Sequence, residues 1–130
     1  MKKVLKVVLI IIGLIILIGG GSIFYFSRGL DSGSRLVVNE VNLLSLENGL
    51  YRGKYNDGRW SNEVEVEIKN HQIKEIEIIQ DMTVSDSTVS KELFKRVIEK
   101  QRVKVDVVTG ATVTSKAYLK SIELALRDKE

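Results

Sequence analysis

Residues 63–69 alternate without a break, Glu63-Val64-Glu65-Val66-Glu67-Ile68-Lys69. A period of two puts Val64, Val66 and Ile68 on one face and acids on the other, which predicts a half-buried strand. Asn70-His71 supplies a tight turn, and Ile73 to Ile79 reads as the return strand with Ile76 and Ile78 facing inward. Upstream, Leu50 to Tyr55 reads as a first strand, set off by the turn signal Asn56-Asp57-Gly58. The period then changes. Val89, Leu93, Phe94, Val97 and Ile98 follow helical spacing, after a hydroxyl-rich stretch from Ser85 to Ser90 suited to capping. Val103 to Val108 predicts another strand, and Tyr118, Leu119, Ile122, Ala125 and Leu126 mark a second amphipathic helix. The expected product is an α+β domain over residues 48–130, a small antiparallel sheet with two packed helices and no internal repeat. At about 80 residues it is long enough to fold alone.

A different pattern precedes this domain. Val7 to Phe26 carries no charge, and 20 helical residues span about 30 Å, the hydrocarbon thickness of a bilayer. The run is apolar all round, which argues against a core helix. A cleaved signal peptide is the competing reading, but its apolar region is shorter, roughly 7–15 residues, and ends in a small-x-small site. Here hydrophobic residues continue past Gly19-Gly20-Gly21-Ser22. The expectation is an uncleaved single-pass transmembrane helix at 7–26, behind a basic N-terminus at 1–6 and before a linker at 27–47. Lys2, Lys3 and Lys6 precede the run and only Arg28 closely follows it. The positive-inside rule therefore places the N-terminus in the cytoplasm and the C-terminal domain outside the cell membrane. Within the linker, Ser27 to Ser34 is rich in Gly and Ser, while the apolar spacing of Arg35 to Glu47 fits neither period.

Charge changes the picture in one respect. The chain is basic overall, +3, yet four of its 20 basic residues lie before Asp31, where no acid stands. From Asp31 onward 16 basic residues face 17 acidic ones, so the soluble part is nearly neutral. That excludes a nucleic-acid-binding face and makes membrane lipid the partner of the positive end. The 130-residue chain has no cysteine and a single histidine, His71. Disulfides, thiolate metal sites, iron–sulfur clusters and covalent haem are excluded on that composition. His71 falls in the hairpin turn, where a solvent-facing residue is expected rather than a catalytic base.

The candidate chemistry lies at Asp106-Val107-Val108-Thr109-Gly110-Ala111-Thr112-Val113-Thr114-Ser115, where a β-type run ends and a helix begins. Gly110 permits close approach or a positive φ. A helix start offers unpaired N–H groups and the favourable end of the helix dipole to an anion such as a phosphate. By residue type alone, capping by Thr and Ser is the stronger reading of this stretch. No base stands beside these hydroxyls in sequence, so a self-activated nucleophile is not expected.

Asp106-Val107-Val108-Thr109-Gly110-Ala111-Thr112 resembles the flavinylation motif of the FMN-binding domain family, found in sodium-pumping NADH:quinone reductases and related electron-transfer complexes. The motif runs Asp, two variable residues, Ser or Thr, Gly, Ala, Thr. Asn48-Gly49-Leu50-Tyr51-Arg52-Gly53 looks like the family's opening strand, with Asn where Asp is usual, and Val113-Thr114-Ser115-Lys116-Ala117 resembles its run into the last helix. The resemblance implies FMN as cofactor, held by a phosphoester to Thr112 that a flavin transferase forms from FAD. Asp106, Thr109, Gly110 and Ala111 are the implied recognition context. It further implies an electron-transfer carrier rather than a complete enzyme, served by a membrane reductase or quinone-linked donor and an acceptor outside. The alternative is a membrane-tethered adaptor that holds FMN non-covalently or not at all. Trp60 and Asp81-Met82-Thr83 are weaker candidates to border the flavin, and Trp60 reads first as a cover for the sheet edge.

Overall fold

The computed structural model describes residues 1–27 and 30–127. Helix α1, Lys2–Ser27, has no buried residue and is long and apolar enough to cross a membrane. The Ser22 hydroxyl donates to the Ile18 carbonyl one turn back, so the helix satisfies its polar group internally. Of the residues expected beyond it, Arg28, Gly29 and residues 128–130 lie outside the described residues. A short helix α2, Leu30–Ser34, follows, then an extended segment with one 3₁₀ turn at Leu43–Ser45. This stretch reads as a linker from its sequence, yet Val38 and Leu46 are buried in the core.

Strands β1 (Gly49–Tyr55), β2 (Asn62–Lys69) and β3 (Gln72–Gln80) form one antiparallel sheet in the order β1-β2-β3. Val64, Val66 and Ile68 are fully buried, as the alternation requires. Asn70 and His71 both take positive φ, 55° and 61°, the conformation that a tight two-residue hairpin needs. On β3 the inward residues Ile73 and Ile76 are three apart. The register shift beside Ile68, which pairs Ile68 with Ile73 and Glu67 with Glu75, takes up the extra residue as a bulge. On the outer face Glu65 lies opposite Glu77 and Glu67 opposite Glu75, and Arg52 of β1 reaches Glu65 at 2.8 Å.

Helices α3 (Ser87–Lys100) and α4 (Thr112–Arg127) cover the apolar face. Asp86 caps α3 by accepting from the Thr88 N–H. Leu93 and Val97 of α3 meet Tyr118, Leu119, Ile122 and Leu126 of α4 in the same core, with Phe94 edge-on to Tyr118 at 5.6 Å. The architecture is the expected α+β one.

One contact fixes α4 on the sheet. A Cβ at Gly53 would lie 2.0 Å from the Ser121 carbonyl oxygen and 2.3 Å from the Ala125 nitrogen. Strand and helix therefore touch backbone to backbone. Beside this contact the Ser121 hydroxyl donates to Asn62 Oδ1 at 2.6 Å, and Asn62 Nδ2 donates to the carbonyls of Trp60 and Ala117. Fully buried Glu123 accepts from Asn39 Nδ2 at 3.1 Å and from Arg127 at 3.3 Å, and forms an ion-pair contact with Lys120 at 2.8 Å.

Candidate functional site

The connection from α3 to α4 differs from the expectation. Val103 to Val108 forms no strand and pairs with none among the described residues. Its backbone groups are taken up by side chains and by one local turn instead. The Lys104 N–H donates to Glu40 Oε1 at 2.6 Å, and the Val105 N–H folds back to the Val103 carbonyl at 2.9 Å. Arg96 of α3 donates to the carbonyls of Asp106 (3.0 Å) and Val107 (3.1 Å) while its Nε holds Glu92 at 3.1 Å. Satisfying these groups locally removes the need for a ladder. At the other end of the connection, Gln101 takes φ 53° after α3, and its side-chain amide pairs with both backbone groups of Ile73. That pairing ties the loop to β3.

The motif follows as a turn. The Ala111 N–H donates to the Val108 carbonyl at 2.9 Å, and Gly110 at the third position has φ 81°, as a type II turn requires. The Ser115 N–H donates to the Ala111 carbonyl at 2.9 Å, which makes Ala111 the residue that starts α4 and Thr112 its first helical residue. An alanine there has no side-chain oxygen to cap with. Among the described residues, no side chain accepts from the N–H groups of Thr112, Val113 or Thr114. The capping expected from the hydroxyls of this stretch is thus not what they do. The buried Ser115 hydroxyl turns back instead and accepts from the Val108 N–H at 3.1 Å, closing the turn on the helix.

Thr109, Gly110 and Thr112 are exposed, Ala111 is half-buried, and Asp106 is exposed with its carbonyl on Arg96. A Cβ built on Gly110 would meet nothing within 4 Å, so the turn is open on its outer side. An accessible hydroxyl, an open turn and three unclaimed N–H donors fit a phosphate monoester or diester at the start of α4.

Two grooves include residues of the motif. One of about 420 Å³ lies between Ser87, Thr88, Lys91, Glu92 and Lys95 of α3 and Val108. The other, of about 280 Å³, is lined by Val38, Val107 and Lys116 among others. A concavity of about 500 Å³ along residues 45–51 touches no motif residue.

Trp60 is buried, and the Arg59 guanidinium stacks on its ring at 4.0 Å. Met82 is buried, and Asp81 accepts from the Tyr118 hydroxyl. His71 is exposed in the hairpin turn. Sequence reasoning passed over Arg96, because a Glu and an Arg four apart on a helix read as an ordinary surface pair.

The sequence profile of the FMN-binding domain family matches residues 58–127, more than half of the chain. The matched span contains β2, β3, both packed helices and the whole motif, and begins after β1. No curated protein matches the chain. The chain belongs to the FMN-binding domain family, and FMN is its cofactor.

Proposed function

We propose that the protein is a membrane-anchored, extracytoplasmic electron carrier with FMN joined to Thr112 through a phosphoester. The observation that carries this reading is the start of α4. There an exposed threonine follows an alanine, and no side chain uses the first-turn N–H groups among the described residues. A phosphodiester retains one negative charge, which those donors and the helix dipole stabilise. Among the described residues no side chain accepts from the Thr112 hydroxyl, in keeping with a separate transferase. In that transfer the Thr112 oxygen bonds to the FMN phosphorus of FAD, and AMP and a proton are released.

Bound FMN supplies reversible one- and two-electron chemistry, and the residues of the chain do the rest. Ser115 and Arg96 hold the turn in place, Gly110 keeps it open, and Thr112 offers the oxygen. The apolar helix α1 and the lysines at positions 2, 3 and 6 support an anchor with its N-terminus in the cytoplasm. A membrane reductase or quinone-linked donor on one side and an acceptor outside complete the relay.

The test is the intact mass of protein purified from membranes of a host that supplies the flavin transferase. The expected result is one FMN-sized addition that Thr112→Ala removes, with in-gel flavin fluorescence lost in parallel. An addition retained by Thr112→Ala overturns the assignment to this residue. Flavin that binds in solution but leaves on a denaturing gel supports the tethered, non-covalent module instead.

A further inference from the structure

The groove between α3 and Val108 and the turn that carries Thr112 share a residue. Val108 forms one wall of the groove, and its carbonyl closes the turn onto Ala111 at 2.9 Å. A group fixed to Thr112 is thus carried by a turn whose first residue is part of this groove. At about 420 Å³ the groove falls within the size range of small-ligand sites, roughly 300–1,000 Å³. The groove lined by Val107 and Lys116, at about 280 Å³, falls below it. The larger groove also lies wholly within residues 58–127, whereas the smaller one borrows Leu36, Val37 and Val38 from outside that span. A site common to the family must be built from the matched residues.

The chemistry of the walls suits a flat, partly polar ring. Val108 and the methylene stems of Lys91 and Lys95 give apolar contact, and Ser87 and Thr88 bring hydroxyls. Three charged side chains line the groove. Glu92 is engaged by Arg96 at 3.1 Å and Lys95 faces Glu99 at 4.0 Å. Lys91 has no carboxylate partner among the described residues.

We propose that the flavin ring lies in this groove and that Lys91 sets its reduction potential. The proposal rests on the flavin reading above and adds the ring's position and the residue that tunes it. Uptake of two electrons and one proton from a reductant leaves the ring with one net negative charge. A neighbouring ammonium then favours the reduced form. One unit charge several ångströms away, at a dielectric between those of protein and water, changes such an equilibrium about tenfold. For a two-electron couple that is about 30 mV.

The experiment is a dithionite titration, against a reference dye, of full-length flavin-loaded protein in detergent. Wild type is compared with Lys91→Gln, Lys91→Glu and Lys69→Gln, the last at the far hairpin end of β2. Lys91→Gln is expected to lower the potential by about 30 mV, the tenfold change. Lys91→Glu lowers it further, and Lys69→Gln leaves it unchanged. As an independent check of position, Thr88→Trp places an indole in the groove and quenches flavin fluorescence several-fold. Wild-type potentials in both loaded Lys91 variants overturn the role of Lys91. Undiminished fluorescence in loaded Thr88→Trp overturns the placement in the groove. Both failures leave the flavin on Thr112 intact, whereas a wild-type chain that carries no flavin overturns the underlying reading together with this one.

Discussion

The Ser115 hydroxyl accepts from the Val108 N–H at 3.1 Å, so the first turn of α4 holds the strand-like segment that leads into it. The bond closes a ring of eight residues around Thr109 to Thr112 and fixes the turn from both sides. Ser115→Ala leaves the Val108 N–H without that acceptor. A loss of about 1–2 kcal/mol is expected in chemical denaturation of the detergent-solubilised protein, together with a lower fraction of FMN-loaded chain by intact mass.

Two glycines should fail in different ways. Gly53→Ala drives a Cβ into the backbone of α4, at 2.0 Å from the Ser121 oxygen. No side chain can rotate away, so helix and strand must separate. The expected cost is about 3 kcal/mol, read as a lowered denaturation midpoint and poor recovery of folded protein.

Gly110→Ala meets nothing within 4 Å, and its only penalty is the positive φ of 81°. That penalty is about 1–2 kcal/mol. Folded Gly110→Ala protein should therefore be obtained readily, with a loading defect by intact mass that exceeds its loss of stability.

Two tyrosines predict an alkaline limit. Burial, helped by the hydrogen bond to Asp57, raises the Tyr55 hydroxyl from 10.0 to about 12. Burial and Asp81 push Tyr118 upward as well. In the unfolded chain both ionise near 10, so their contribution to stability is complete below pH 10 and is lost as pH rises through the folded-state values. Denaturation midpoints should hold steady to about pH 9 and fall between roughly 10 and 12. Tyr55→Phe should flatten part of that fall, and phenolate absorbance in the native protein should show two late-titrating groups.

Arg96 offers a test of the loop itself. Arg96→Lys keeps a cation near Glu92, but one ammonium cannot hold Glu92 through one nitrogen and the carbonyls of Asp106 and Val107 through another, as Nε and Nη1 of Arg96 do. Protection of the Val105–Val108 amides from hydrogen exchange should fall in Arg96→Lys, while that of α3 and the sheet stays near wild type.

The parts of the fold that were legible in the sequence are those whose burial repeats with a fixed period. Val64-x-Val66-x-Ile68 can only be a one-sided strand, and Leu93, Val97, Tyr118 and Ile122 can only be the inner faces of helices. The motif was legible by resemblance, and the match over residues 58–127 supports the family and the cofactor. Val103 to Val108 misled, because β-branched residues favour extended backbone whether or not a partner strand exists. What replaces the partner is Arg96, Glu40 and Ser115, from three places in the chain. No local pattern encodes such a meeting. The same holds for Val38 and Leu46, whose burial depends on how the segment before β1 wraps the core. The uncapped start of α4 was hidden for the opposite reason, since its hydroxyl-rich composition suggests caps that the geometry does not use.

The close approach at Gly53 has a consequence for the motif. Ser121 sits nine residues beyond Thr112 on the same rigid helix, about 14 Å along its axis. Backbone contact at that point leaves no side chain whose rearrangement would let the helix slide or roll. The coordinates of the Thr112 oxygen are thus set from the sheet, as the tip of a lever is set by its fulcrum. The position of the motif threonine is in this sense decided by a missing carbon atom, the absent Cβ of Gly53, more than two helical turns away.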